Sequence, residues 1–197
     1  MSKKTFPHLF EPIALGPMQL PHRVVIPGHS MLLEEANGII GRRYQGYLAE
    51  RAAGGAALVT MGSAPVHASS MQSWPHTWLW TDAVIDGMAK AADAVHKEGS
   101  KLSIILWHGG QNLSHLQGIV PQAPSPIPSP DSGDIPKAMT QQDIDELVRA
   151  YGAAAKRCSD AGLDAVEVQT SSNYLLGSFL SPVSYTHLTL PTITSGC

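Results

Sequence analysis

The 197-residue chain is 43% hydrophobic and 15% charged, with a formal charge of −3, which is enough length and apolar content for one domain with a substantial core. Its mild acidity argues against nucleic acid or an anionic membrane surface as partner, and no apolar run approaches the roughly 20 residues of a membrane span. Two cysteines, Cys158 and Cys197, give neither a disulfide framework nor metal-ligand spacing, and the basic start Met1-Ser2-Lys3-Lys4 lacks the apolar stretch of a secretory signal, so a cytoplasmic protein is expected.

Ile13 to Leu20 reads as a small hairpin turning at Gly16-Pro17. Arg23 to Ile26 predicts a short strand stopped by Pro27-Gly28. Arg43 to Ala53 predicts a helix, with Tyr44, Tyr47, Leu48 and Arg51 at helical spacing and Gly54-Gly55 as its stop. Ala57 to Thr60 predicts a second strand, running into Met61-Gly62-Ser63-Ala64. Thr81 can cap a helix that places Val84, Ile85, Met88, Ala92 and Val95 on one face and ends before Gly99. Leu102 to Leu106 predicts a third strand leading into Trp107-His108-Gly109-Gly110. The Pro- and Ser-rich stretch from Pro121 to Pro136 reads as a long connection of the kind that serves as a lid or binding loop. Thr140 with Asp143 resembles a capping box, and the helix behind it carries Ile144, Leu147, Val148, Tyr151, Ala155 and Cys158 before Gly162 ends it. Ala165 to Val168 predicts a fourth strand, which breaks into Gln169, Thr170, Ser171, Ser172, Asn173 and Tyr174.

Strands alternating with helices of about four turns predict βαβ units and a parallel sheet. No G-x-G-x-x-G follows any strand, which disfavours a dinucleotide-binding sheet. The expected fold is therefore α/β, a parallel (β/α)8 barrel. A complete barrel takes about 250 residues and eight strands, and only about the first half is present here. Buried parallel strands ending in polar residues are how such a barrel presents chemistry.

The candidate residues stand at those strand ends. Gly28, lacking a Cβ, permits close approach of a flat group, though an ordinary strand-ending turn followed by a surface His29 explains the same residues. Gly62 is equally a turn glycine. Trp107 and His108 read as packing at a crowded strand end. Tyr174 reads as a phenol at the rim or as an aromatic packed on its loop. A metal held by His29, His67 and His108 is disfavoured, because no H-x-H or C-x-x-C spacing supports it.

Several blocks resemble the old yellow enzyme family of FMN-dependent NAD(P)H oxidoreductases: L-F-E-P-I-A-L-G-P-M-Q-L-P-H-R-V-V-I-P at the start, L-W-H-G-G-Q after the third strand, and A-G-L-D-A-V-E-V-Q-T-S-S-N-Y-L-L-G-S-F-L-S-P at the fourth. The resemblance covers about Leu9 to Pro182. It implies FMN as cofactor, NAD(P)H as electron donor and a small organic substrate such as an activated alkene. It places Pro27, Gly28, His29 and Gly62 beside the flavin, with His29 at the position that tunes it, and Tyr174 as the proton donor to substrate. Two departures stand out. Ile105 occupies the position of a glutamine that hydrogen-bonds the flavin pyrimidine. Gln169 and Ser172 replace the His-x-x-His or His-x-x-Asn pair that holds the substrate carbonyl. Both are neutral hydrogen-bond donors, which weakens the grip on an enone oxygen by about 1–3 kcal/mol if a charge-assisted bond becomes neutral.

The resemblance leaves other functions open. One is an amine or C–H dehydrogenase like the long relatives that carry an iron–sulfur cluster, which would belong to a further C-terminal part. Another is a truncated inactive barrel fragment. A flavin-free barrel hydrolase or lyase would have only His29, His108 and Glu167 to draw on. After Pro182 the relatives continue with Asn-Arg-Arg-Thr-Asp and another helix, whereas Val183 to Thr192 resembles the translation of a sequencing adapter. Residues 1–182 are accordingly read as the N-terminal half of an FMN-binding barrel, and residues 183–197 as a non-native tail.

Overall fold

The computed structural model describes residues 5–71 and 75–184; nearly all of the expected tail over residues 183–197 lies outside them. The chain opens with the antiparallel hairpin β1 (Ile13–Leu15) and β2 (Met18–Leu20). There follow β3 (Val25–Ile26), α1 (Arg42–Ala53), β4 (Leu58–Pro65), α2 (Ile85–Lys97) and β5 (Lys101–Trp107). Two short strands, β6 (Gln122–Ala123) and β7 (Lys137–Ala138), pair in parallel and tie together the two ends of the Pro-rich connection. Helix α3 (Gln141–Asp160), β8 (Ala165–Val168) and α4 (Leu175–Leu180) complete the described chain.

The principal sheet is wholly parallel, in the order β3-β4-β5-β8. Each step crosses over through a helix: α1, then α2, then α3. Sequential parallel strands joined by helices are the first four units of a β/α barrel. Register runs from Val25 opposite Leu58, through Leu58 opposite Lys101, to Ser103 opposite Ala165.

Side chains alternate across a strand, and here the alternation sorts the core from the barrel interior. Val59 and Met61 of β4, with Leu102, Ile104 and Leu106 of β5, pack outward against Tyr44, Leu48, Met88, Val95, Ala154 and Cys158 of the helices. Thr60, Ser103 and Glu167 point the other way and join across three strands. The Thr60 and Ser103 hydroxyls donate to Glu167 Oε1 at 2.8 and 3.2 Å.

The Thr140 capping box forms as expected, with Asp143 N–H donating to Thr140 Oγ1 at 3.2 Å and Thr140 N–H to Asp143 Oδ2 at 2.8 Å. The structure also departs from the expected elements. Strand β4 extends to Pro65, so Gly62 lies within it rather than beyond its end. A register shift between Met61 and Ser63 bulges the strand there, and an extra residue breaks the alternation by which the strand could be followed in sequence. Thr81 caps a single 3-10 turn, Asp82–Val84, that runs into α2.

Candidate active site at the carboxyl ends of the strands

The carboxyl end of the sheet gathers the residues that follow β3, β4, β5 and β8. Beyond β3 the chain passes Pro27, Gly28 and His29 directly over β4. A Cβ placed on Gly62 would fall on the His29 carbonyl oxygen. One placed on Gly28 would stand 2.5 Å from Ile105 Cδ1 and 2.8 Å from the Met61 carbonyl oxygen. Both glycines are therefore required by the approach of one strand tip to the next. Ile105 fills the space beside Gly28 with hydrocarbon and offers no hydrogen bond. The absence of side-chain bulk at Gly28 and Gly62 is compatible with the flat ring of FMN, without the polar contact a glutamine at position 105 would supply.

Helix α1 braces both tips. Tyr44, buried, accepts the Gly62 N–H at 3.3 Å through its hydroxyl. Tyr47, one turn later, lies 2.7 Å from His29 Nε2 through its own hydroxyl. His29 Nδ1 stands 3.1 Å from the Pro27 carbonyl oxygen. The Arg51 guanidinium sits 3.5 Å above the Tyr47 ring, a cation–π contact between residues one turn apart. Near them Glu34 accepts from the Thr77 hydroxyl at 3.3 Å, while its Oε2 is buried without a partner. Burial raises the Glu34 carboxyl above its ordinary range, and burial, then the nearby Glu34 charge, raises the Tyr44 phenol.

At the far side of the rim, Tyr174 precedes α4 as its N-cap. Its ring meets Trp107 edge-on, with centroids 5.4 Å apart. The Leu175 N–H donates to the His108 carbonyl at 3.1 Å. A Cβ on Gly110 would lie 2.6 Å from the Leu175 nitrogen. The tip of β5 is therefore the seat on which the Tyr174 segment rests. Gln169 donates from Nε2 to Ser171 Oγ at 2.9 Å. Ser172 and Asn173 take left-handed backbone conformations, φ 59° and 53°, and the Ser172 carbonyl accepts from Asn112 Nδ2 at 3.0 Å. The structure brings Pro27, Gly28, His29 and Gly62 together. It sets Gln169, Ser172 and Tyr174 at the same end of the sheet, in the segment that follows the opposite edge strand β8.

Outside the rim, a row of hydrogen bonds has its direction fixed by one amide. The Gly110 N–H donates to His108 Nδ1 at 3.1 Å, so His108 carries its proton on Nε2 and donates to Ser69 Oγ at 2.9 Å. Ser69 then donates to His67 Nδ1 at 2.8 Å, and His67 Nε2 faces Glu146 Oε1 at 3.2 Å. Burial holds the His108 imidazole down to about 3, with the His67 charge a lesser cause. Among the described residues no group of three His, Cys, Asp or Glu side chains is placed to hold a metal ion, and no helix is long and apolar enough to cross a membrane.

Sequence reasoning did not find Tyr47 as a partner of His29. The two tyrosines on α1 were legible only as helical spacing, and their targets depend on how the loop after β3 folds back.

Fold and rim together define a β/α-barrel protein with its working end at the strand carboxyl termini. Residues 8–187 match the NADH:flavin oxidoreductase / NADH oxidase family, and the chain belongs to that family. It is 36% identical over 178 residues to a metal reductase of Desulforamulus reducens, covering 89% of this chain and 26% of that protein. It is 30% identical to an NADPH dehydrogenase of Clostridium acetobutylicum, covering 89% and 52%. It is 32% identical to an N,N-dimethylglycine/sarcosine dehydrogenase of Chromohalobacter salexigens, covering 90% and 26%. The structure of morphinone reductase in complex with tetrahydroNAD superposes with a TM-score of 0.80 at 28% identity, covering 89% of this chain and 52% of that one. The chain thus spans about half the length of the shorter relatives and about a quarter of the longer ones.

Proposed function

We propose that this chain is the first half of an FMN-dependent oxidoreductase barrel, residues 1–182, completed by strands that this sequence does not contain. The observation that carries the reading is the family match over residues 8–187, with its strand tips converging on one rim. FMN, when bound, would supply hydride transfer between NAD(P)H and a small organic substrate, an activated alkene in the reductive direction. Pro27, Gly28, His29 and Gly62 would support the ring, Gln169 and Ser172 would hydrogen-bond the substrate oxygen, and Tyr174 would deliver a proton to the carbon beside the carbonyl. The protein would act in the cytoplasm.

The test is the complete protein carrying all eight strands. It should purify yellow, with absorbance near about 450 nm; a colourless protein that rejects added FMN refutes the reading. Tyr174→Phe should slow oxidation of the reduced enzyme by an enone and leave flavin reduction by NAD(P)H unchanged, as stopped-flow absorbance would record. Equal losses in both half-reactions would remove the proton-donor role.

A second reading runs the flavin in the oxidative direction, on an amine or another activated C–H bond. Two features favour it: the neutral Gln169 and Ser172 where an imidazole pair would polarise a carbonyl, and the likeness to an N,N-dimethylglycine/sarcosine dehydrogenase. An iron–sulfur cluster, where present, would belong to the further chain of such long relatives. Flavin reduction by a secondary or tertiary amine in the absence of NAD(P)H would decide for it.

A further inference from the structure

We infer that Tyr47 is a positioning residue for His29, donating to Nε2 of the tautomer that the Pro27 carbonyl selects, so that both ring nitrogens find their partners within the chain. The inference rests on the proposed function only insofar as His29 faces a flavin.

The argument begins with the Pro27 carbonyl. A carbonyl oxygen only accepts, so the 3.1 Å contact with His29 Nδ1 requires a proton on that nitrogen. In the neutral ring Nε2 is then a bare acceptor, and the group 2.7 Å from it is the Tyr47 hydroxyl. Tyr47 therefore donates to Nε2. Arg51, 3.5 Å from the Tyr47 ring centroid, helps hold the phenol in place. Position is set as firmly as tautomer, because the Tyr47 backbone lies on α1 while the Pro27 carbonyl leaves β3. The imidazole spans helix and strand tip. Its hydrogen-bonding capacity is then spent inside the chain. His29 meets a cofactor through its ring carbons and its backbone, and through no ring N–H.

The experiment uses the complete protein, labelled with 15N-histidine, in wild-type form and as Tyr47→Phe, which keeps the ring under Arg51. Wild-type His29 should show a pyrrole-type Nδ1 and a pyridine-type Nε2 in the long-range 15N–1H spectrum. Tyr47→Phe should leave Nδ1 pyrrole-type against the Pro27 carbonyl, shift the Nε2 resonance as its donor is lost, and weaken FMN binding about fivefold, the size expected when one hydrogen bond of ordinary strength is lost. In a His29→Ala background, Tyr47→Phe should have no further effect on FMN affinity. An unchanged Nε2 resonance in Tyr47→Phe overturns the inference. A fivefold loss that persists in the His29→Ala background overturns it too, because Tyr47 would then act by another route. A shifted Nε2 resonance with unchanged FMN affinity upholds the Tyr47–His29 link and instead removes His29 from the cofactor site. Tyr44→Phe, which breaks the bond to Gly62 N–H on the next strand, should leave the His29 signals in place and separates loss of the tyrosine contact from a general loosening of α1.

Discussion

His108 shows how little of a side chain's chemistry its position in a motif reveals. It follows β5 in a run that resembles a flavoenzyme signature, yet its imidazole is 1% exposed and points into the packing between loops. Burial moves its titration from an ordinary 6.5 down to about 3. Between those limits the unfolded chain binds a proton that the folded chain refuses. Stability therefore rises with pH across this window and is lost as pH falls from about 6.5 toward 3, by up to about 1.4 kcal/mol per pH unit. Urea unfolding at several pH values should show that slope, and His108→Gln should flatten it. The same logic of local surroundings decides the two rim glycines. Sequence marked Gly28 and Gly62 as places where something comes close. The closeness in the structure is between strand tips, Gly62 against the His29 backbone and Gly28 against Ile105, and no composition or spacing could say which neighbour was meant.

At the scale of elements, legibility follows periodicity. β8 stands where the apolar run Ala165 to Val168 put it, and α3 runs from the Thr140 box to the Gly162 stop. The hairpin, α1 and β5 fall within a residue or two of their expected limits. The losses have physical causes. β4 outruns its expected end by five residues because the bulge at Gly62 interrupts the alternation of side chains. α4 is six residues long, too short for a helical period to establish itself against the surrounding serines. The Pro121–Pro136 connection carries buried Ser125 and Ser129 and is anchored by β6 and β7 at its ends, a long-range pairing that local sequence does not encode. The capping box carries a quantitative expectation. Thr140→Ala removes the acceptor for Asp143 N–H and should cost about 1 kcal/mol of stability, measured as a fall in the urea midpoint with an unchanged slope. Thr140→Asn should recover most of it.

For the molecule as a whole, the decisive fact is that, among the described residues, its parallel sheet has two open edges: β3 and β8 each pair on one side only, and β8 leaves Val166 and Val168 36% and 51% exposed. An unpaired strand edge is a template for another chain. The 197-residue chain by itself should therefore self-associate at micromolar concentration, as sedimentation velocity would detect. Val168→Lys should raise the monomer fraction, and supplying the second half of the barrel should abolish association. An unchanged sedimentation profile for Val168→Lys would show that association uses another surface.

The fold also carries a clock of its own. The Cys158 thiol lies on the sheet-facing side of α3, 1% exposed, and burial pushes its ionisation up to about 12. Since alkylation proceeds through the thiolate, a maleimide or iodoacetamide can capture Cys158 only in those moments when α3 lifts off its neighbours. The rate at which the peptide containing Cys158 gains mass would time that lifting directly, without denaturant or dye.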